Sequence, residues 1–172
     1  MRTATVIAAA FGAAILCPAA QAAPPKLPAT VANDLREIAA DCTGAGGKAM
    51  TGDAVKAADL NGDGREDFVL FVGWINCDGA PGIYGDREKG VLVYAGDGAG
   101  GASKAFGGPV YDAKIEGTGP ASKLWLTVAG AQCGKKPAAD FASENFCERP
   151  LAWNGKTGQF DWAPVSSVRM IQ

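Results

Sequence analysis

Nine residues of this chain have the types and spacing to do chemistry: Asp59-Leu60-Asn61-Gly62-Asp63-Gly64-Arg65-Glu66-Asp67. Oxygen-bearing side chains fall at loop positions 1, 3, 5 and 9, and Gly64 falls at position 6. A hard cation such as Ca²⁺ takes six to eight oxygens at roughly 2.3–2.6 Å. Alternate spacing on a tight loop turns Asp59, Asn61 and Asp63 towards one centre. Gly64 permits the sharp turn that lets the Arg65 carbonyl face inward, and Asp67 closes the far side directly or through water. Carboxylates this close repel one another unless a cation screens them. Position 12, where a helix-loop-helix calcium site has a bidentate Glu, is Leu70 inside an apolar run. The pattern therefore predicts a calcium loop between two strands. Its affinity is expected in the range of extracellular modules, roughly 10⁻⁵–10⁻³ M.

The other reactive residues give no comparable pattern. The 172 residues include no His, which excludes Ser-His-Asp and Cys-His catalysis and every His-ligated metal site. No Ser lies in a Gly-x-Ser-x-Gly context. Gly96 to Gly101 lacks the GxxxxGK[ST] phosphate-binding form and reads as a hairpin loop. Sixteen Lys and Arg against 18 Asp and Glu give a net charge of −2, which argues against a nucleic-acid binder. Trp74 and Tyr84 flank a long loop around Cys77. They read either as an aromatic platform for a sugar or a protein, or as core side chains with Cys77 tying the loop down. Aromatics are mainly core residues, which favours the second reading.

The amino terminus has the form of a secretory signal over residues 1–22. Arg2 is the positive end, Val6 to Leu16 the apolar stretch, and Ala20-Gln21-Ala22 a small-x-small cleavage site. The stretch is shorter than the roughly 20 residues a bilayer needs. Ile15 and Leu16 are too bulky to make Cys17 a lipid-attachment site. Cleavage after Ala22 leaves Cys42, Cys77, Cys133 and Cys147, an even count that reads as two disulfides in a periplasmic or secreted protein. Three pairings are open. Cys42–Cys77 with Cys133–Cys147 is preferred because each closes a local loop.

These residues need a scaffold. Residues 23–29 form a Pro-containing lead-in, and residues 30–172 form one domain. Val31, Leu35, Ile38 and Cys42 share one face of a helical period, with Thr30 placed to cap it and Gly44 just past its end. Strands are expected at Asp53–Ala58, Asp67–Ile75, Val91–Ala95, Val110–Ile115, Leu124–Ala129, Leu151–Trp153 and Gln159–Trp162. Phe68 to Val72 is apolar without alternation, the mark of a central strand covered on both faces. Twenty-four Gly and ten Pro supply the turns. The expected fold is mainly β with one N-terminal helix, a small antiparallel meander or curled sheet braced by disulfides.

The segment from Val55 to Leu70, with its Asp59-x-Asn61-x-Asp63-Gly64-x-x-Asp67 core, resembles one FG-GAP or VCBS-type repeat, the strand–calcium loop–strand unit of integrin-like propellers. The resemblance covers about 16 to 20 residues, and Ala95-Gly96-Asp97-Gly98 echoes it without the required carboxylates. It implies side-chain ligation by Asp59, Asn61, Asp63 and Asp67 and carbonyl ligation by Arg65. The expected function is that of an exported, calcium-stabilised binding or structural domain without catalytic activity. Its partner would be a macromolecule, protein or envelope glycan. The alternative is a secreted or periplasmic inhibitor of a hydrolase such as lysozyme.

Overall fold

The computed structural model describes residues 26–171. The expected signal segment, Cys17 and the start of the lead-in lie outside the described residues.

Helix α1 runs from Ala29 to Gly44. Its apolar stripe is the one the spacing predicts. Val31 and Cys42 are fully buried, and Leu35 and Ile38 lie half-buried against the sheet below. The ends differ from expectation. Pro28 occupies the cap and its carbonyl accepts from Ala32 N at 2.9 Å, which places Thr30 inside the first turn. Thr30 instead donates its hydroxyl to the Ala102 carbonyl at 2.7 Å and so ties the helix to a strand. Gly44 is the last helical residue, and the turn is completed at Ala45 and Gly46.

Eleven strands follow: β1 (Lys48–Met50), β2 (Val55–Ala58), β3 (Asp67–Phe71), β4 (Asn76–Asp78), β5 (Lys89–Gly96), β6 (Ala102–Val110), β7 (Asp112–Glu116), β8 (Lys123–Ala129), β9 (Phe146–Asn154), β10 (Gln159–Trp162) and β11 (Arg169–Met170). All pairings are antiparallel. The first sheet has the order β2-β3-β5-β6. The second is a meander, β10-β9-β8-β7, with β11 added to β9. β1 and β4 form a separate ribbon.

The two larger sheets share one core. Val69, Phe71, Val91, Val93 and Val110 from the first meet Leu124, Leu126, Val128, Cys147 and Phe160 from the second. The opposite face of the first sheet, with Phe68, Leu70 and Tyr94, receives Val31 and Leu35 of α1. β3 is therefore buried on both faces at every residue, which is why its sequence does not alternate. Between the sheets the chain turns a corner without a loop. Tyr111 alone separates β6 from β7, and its amide already bonds Thr127 in the second sheet at 2.8 Å. A register shift between Val93 and Tyr94 adds twist to the β5–β6 pair. Corner and bulge together give the curled half-barrel form.

Several strands depart from the sequence reading. Val110–Ile115 is split at Tyr111 between β6 and β7, and the Asp67–Ile75 strand stops at Phe71, where Val72–Trp74 make a 3₁₀ turn. β6 was not expected, because Gly107, Gly108 and Pro109 weaken its strand signal. Pro109 is tolerated because β6 is an edge strand. β9 begins five residues before Leu151. It includes Pro150, whose carbonyl accepts from Ala163 N at 3.0 Å.

Both disulfides join the preferred pairs, Cys42–Cys77 and Cys133–Cys147. The first fastens the end of α1 to β4, and a side chain at Gly47 would collide with both of its sulfurs. The second fastens the turn after β8 to β9. With sequence separations of 35 and 14, loop-closure entropy favours the folded state by about 4 and about 3 kcal/mol respectively. Among the described residues no helix is long and apolar enough to cross a membrane.

One polar anchor fixes α1 on the sheet. The buried Tyr94 hydroxyl donates to Asp34 Oδ2 at 2.6 Å, and Lys104 Nζ lies 2.9 Å from the same oxygen. The Lys104 and Tyr94 hydrogen bonds hold the Asp34 carboxyl below the usual carboxylate range. A carboxyl with a lowered folded-state pKa stabilises the fold fully above about pH 4, and that contribution is lost as the pH falls further. Asp34→Ala leaves the Tyr94 hydroxyl without its partner, and we expect a loss of about 1–3 kcal/mol at pH 7. Urea unfolding from pH 7 down to pH 3 should show the gap to wild type narrowing below about pH 4. A gap that stays constant or widens would show that the anchor is not electrostatic.

Candidate functional site

The aspartate loop spans residues 59–66 between β2 and β3, whose last cross-strand pair, Ala58 and Asp67, pins its two ends. β2 is the edge strand of the first sheet and β3 an inner strand, so the loop has one side anchored in the core.

Short side chains shape the turn by accepting from the backbone ahead of them. Asp59 Oδ1 accepts from Gly62 N at 2.7 Å, and its Oδ2 accepts from Gly64 N at 3.0 Å. Asn61 Oδ1 accepts from Asp63 N, and Asp63 Oδ1 accepts from Arg65 N, each at 2.9 Å. Gly62 and Gly64 both take the left-handed conformation, with φ of 77° and 81°. The spacing marked only Gly64 as necessary; Gly62 carries the same constraint.

Asp67 is completely buried. Its Oδ2 accepts from Leu60 N at 2.9 Å and Asn61 N at 3.1 Å, and its Oδ1 accepts from Gly96 N at 3.0 Å. Asn61 Nδ2 reaches the same Oδ1 at 3.4 Å. A carboxylate has about four acceptor positions, and these donors occupy them all. Burial raises the Asp67 pKa, while the Gly96, Leu60 and Asn61 amides pull it down. Asp67 thus organises the loop from behind, a role the spacing does not reveal.

Asp63 is turned outward to Arg65. Its Oδ2 receives Arg65 Nη2 at 2.7 Å and Nε at 3.0 Å. This guanidinium contact holds the Asp63 carboxyl below its ordinary range and raises Arg65. Arg65 Nη1 also donates to the Asp97 carbonyl at 3.2 Å. The Asp97–Gly101 turn, whose first two residues belong to the Ala95–Gly98 echo of the motif, therefore lies directly beside it. Asp97 Oδ1 accepts from Ala99 N and Gly101 N at 2.8 and 2.9 Å, which lowers the Asp97 pKa. Contact between the loops needs glycine. A Cβ at Gly96 would strike the Glu66 carbonyl oxygen, and one at Gly98 would lie 2.6 Å from Arg65 Cδ.

Among the described residues no three His, Cys, Asp or Glu side chains form a metal cage. The reason is visible in the loop: Asp67 faces backbone amides and Asp63 faces Arg65. The donor set is nevertheless all oxygen. Asp59 keeps acceptor capacity on both oxygens, and Asn61 Oδ1 and Asp63 Oδ1 accept only one bond each. That chemistry fits a hard cation held by Asp59, Asn61, Asp63 and the Arg65 carbonyl, with Asp67 supporting from behind.

Trp74 and Tyr84 are held by different neighbours. Trp74 is half-buried, edge-on to Phe71 at 5.5 Å, with Lys56 Nζ 3.9 Å above its ring. Tyr84 donates its hydroxyl to the Ile38 carbonyl of α1 at 3.0 Å. Two open clefts border the aspartate loop. One of about 350 Å³ includes Arg65, Glu66 and Lys26, and another of about 410 Å³ includes Leu60, Trp125 and Trp153.

The buried carboxylate can be tested separately from any cation. In Asp67→Asn one backbone amide faces an NH₂ group instead of an acceptor. We expect a loss of about 1–3 kcal/mol in chemical unfolding with EGTA present, because a buried donor is left unpaired. A change under 0.5 kcal/mol would show that the loop does not depend on this carboxylate.

Compared with protein-family models, with curated proteins and with solved structures, the chain matches none.

Proposed function

We propose that this chain is an exported, disulfide-bonded domain that takes Ca²⁺ in its Asp59–Asp67 loop and binds or braces a macromolecule, protein or envelope glycan, instead of catalysing a reaction. The observation that carries the calcium reading is the set of hard oxygens with spare acceptor capacity on one turn: Asp59, Asn61 and Asp63. Bound there, the ion supplies positive charge that offsets the repulsion between Asp59 and Asp63. The chain's own residues do the rest. Gly62 and Gly64 let the loop close, Asp67 holds its amides, and the β2–β3 ladder fixes its ends. Two disulfides support placement in an oxidising compartment, periplasmic or extracellular.

The non-catalytic reading is supported by the contacts of carboxylates outside the loop. Asp34 accepts from Tyr94 and pairs with Lys104, Glu116 pairs with Lys114 and Arg169, and Asp140 accepts from Ser143. Each is engaged in holding structure.

A second reading, inhibition of a hydrolase such as lysozyme, is favoured by the segment between β4 and β5. Cys77 ties its start to α1, Tyr84 ties its middle to Ile38, and Lys89 Nζ bonds Gly85 O at 2.8 Å. Within this braced loop Ile83 is 42% exposed. A rigid loop binds with little loss of conformational entropy.

Thermal unfolding of the oxidised protein in about 5 mM CaCl₂ and in excess EGTA tests the calcium reading. At about 100-fold over the dissociation constant, binding adds about 2.7 kcal/mol, which is several degrees for a domain of this size. Asp63→Ala should abolish the shift. Equal melting temperatures in both solutions for the wild type would refute the calcium site. Slowed lysozyme turnover on addition of the protein would move the function to the second reading.

A further inference from the structure

Two asparagines in this chain precede glycine: Asn61-Gly62 in the aspartate loop and Asn154-Gly155 at the tip of the β9–β10 hairpin. Such a pair is chemically unstable wherever the glycine amide can reach the side chain, because glycine has no Cβ to obstruct the approach. The two side chains are held almost alike. Asn61 Oδ1 accepts from Asp63 N at 2.9 Å, and Asn154 Oδ1 accepts from Lys156 N at 3.1 Å. Each bond folds the side-chain amide over the glycine peptide and draws electron density from Cγ. Each NH₂ group faces a carboxylate, Asp63 Oδ2 at 3.1 Å for Asn61 and Asp161 Oδ2 at 2.8 Å for Asn154. The glycine amides differ. Gly62 N donates to Asp59 Oδ1 at 2.7 Å, and Asp59 is buried. Gly155 is exposed and follows the last ladder pair of the hairpin, Asn154 with Gln159. Among the described residues nothing accepts its N–H.

We propose that Asn154 is a site of spontaneous deamidation, and that Asp59 holds Asn61 back from the same reaction. Gly155 N gives its proton to water and bonds to Asn154 Cγ. The Cγ–Nδ2 bond breaks, and the nitrogen takes a proton from water and leaves as ammonia. A succinimide ring remains. Water then opens it. Addition at Cγ breaks the new Cγ–N bond and gives aspartate. Addition at the carbonyl carbon of residue 154 breaks the peptide C–N bond and gives isoaspartate, with the chain running through Cγ. Water is consumed, ammonia is released, and nothing is oxidised or reduced. In the aspartate loop Gly62 would have to give up its proton while facing the Asp59 carboxylate, which sets two negative charges against each other. Either product at residue 154 places a carboxylate where Asn154 donates to Asp161, so like charges face each other across the hairpin. Isoaspartate also lengthens the backbone at residue 154, whose carbonyl closes the turn by accepting from Thr157 N and Gly158 N. The element this reaction loosens is the hairpin that seats Phe160 in the core.

The test is peptide mapping by mass spectrometry of the oxidised, folded chain during incubation at mildly alkaline pH. The same chain in concentrated urea is the reference for unrestrained reaction. In urea both asparagines should convert at similar rates. In the folded protein Asn154 should convert about ten-fold faster than Asn61 or more, the factor set by breaking a charge-assisted hydrogen bond, and should yield both aspartate and isoaspartate. Gly155→Ala should slow Asn154 several-fold, because the added Cβ obstructs the attack. That Cβ would meet Trp153 Nε1 at 3.7 Å, an ordinary contact, so the fold accommodates the variant. Asn61 converting as fast as Asn154 in the folded protein overturns the assignment. So does an Asn154 that stays intact while the urea sample converts. An unchanged Asn154 rate in Gly155→Ala, or a product without isoaspartate, overturns the succinimide route.

Discussion

A carboxylate with no exposure to water sits at the start of β3, and the front of the molecule is built to satisfy it. Asp67 takes amides from Leu60 and Asn61 on its own loop and from Gly96 at the end of β5. Burial of an ionised group is strongly unfavourable unless donors replace the water it loses. Those donors come from two different turns, so the carboxylate fixes both at once. The close approach explains the glycine at position 96, where a side chain would strike the Glu66 carbonyl. It also sets Arg65 over Gly98, within reach of Asp97. Loop shape, turn contact and guanidinium placement all descend from one buried side chain.

Behind that loop the fold has two independent sources of rigidity. The apolar core joins the sheets across Val69, Phe71, Leu126 and Val128, and α1 covers the far face. The disulfides act where the core is thin. β1 and β4 have three residues each and are held beside α1 by Cys42–Cys77, and the irregular stretch from Gly134 to Asn145 is closed by Cys133–Cys147. Arg149 adds a polar tie by bonding the Ala163 carbonyl at 2.8 Å and Gln132 at 2.9 and 3.0 Å. A domain stapled at its periphery can carry long, irregular loops without a large core.

What the sequence disclosed followed from how local each signal is. The face of α1 was legible because Val31, Leu35, Ile38 and Cys42 repeat with the helix, and β3 because an unbroken apolar run needs cover on two sides. The β9–β10 hairpin was legible in Asn154 to Gly158, where Thr157 and Gly158 amides close on the Asn154 carbonyl. β6 was obscured by Gly107-Gly108-Pro109, and the first half of β9 by Glu148, Arg149 and Pro150, whose partners are distant in sequence. Thr30 looked like a cap and instead bonds a strand 72 residues away. In the aspartate loop the oxygen spacing and Gly64 were readable. The turning of Asp67 to Gly96, and the claim of Arg65 on Asp63, depend on where β5 ends in space, and no local pattern encodes that.

The position of the loop determines what tightening it can achieve. β2 is four residues long, lies at the sheet edge and is half-exposed, so β3 and the turn that joins them are its main attachments. An edge strand of this kind is the part of a sheet that opens first. Lys56 points from it onto Trp74, which discourages further strands from adding at that edge. Anything that orders residues 59–66 restrains the turn that, with the four-residue ladder to β3, holds β2 in register. It stabilises an edge strand without touching the core. A cation held here, as proposed above, would clamp the sheet edge locally, at the two ends that the Ala58–Asp67 pair already pins.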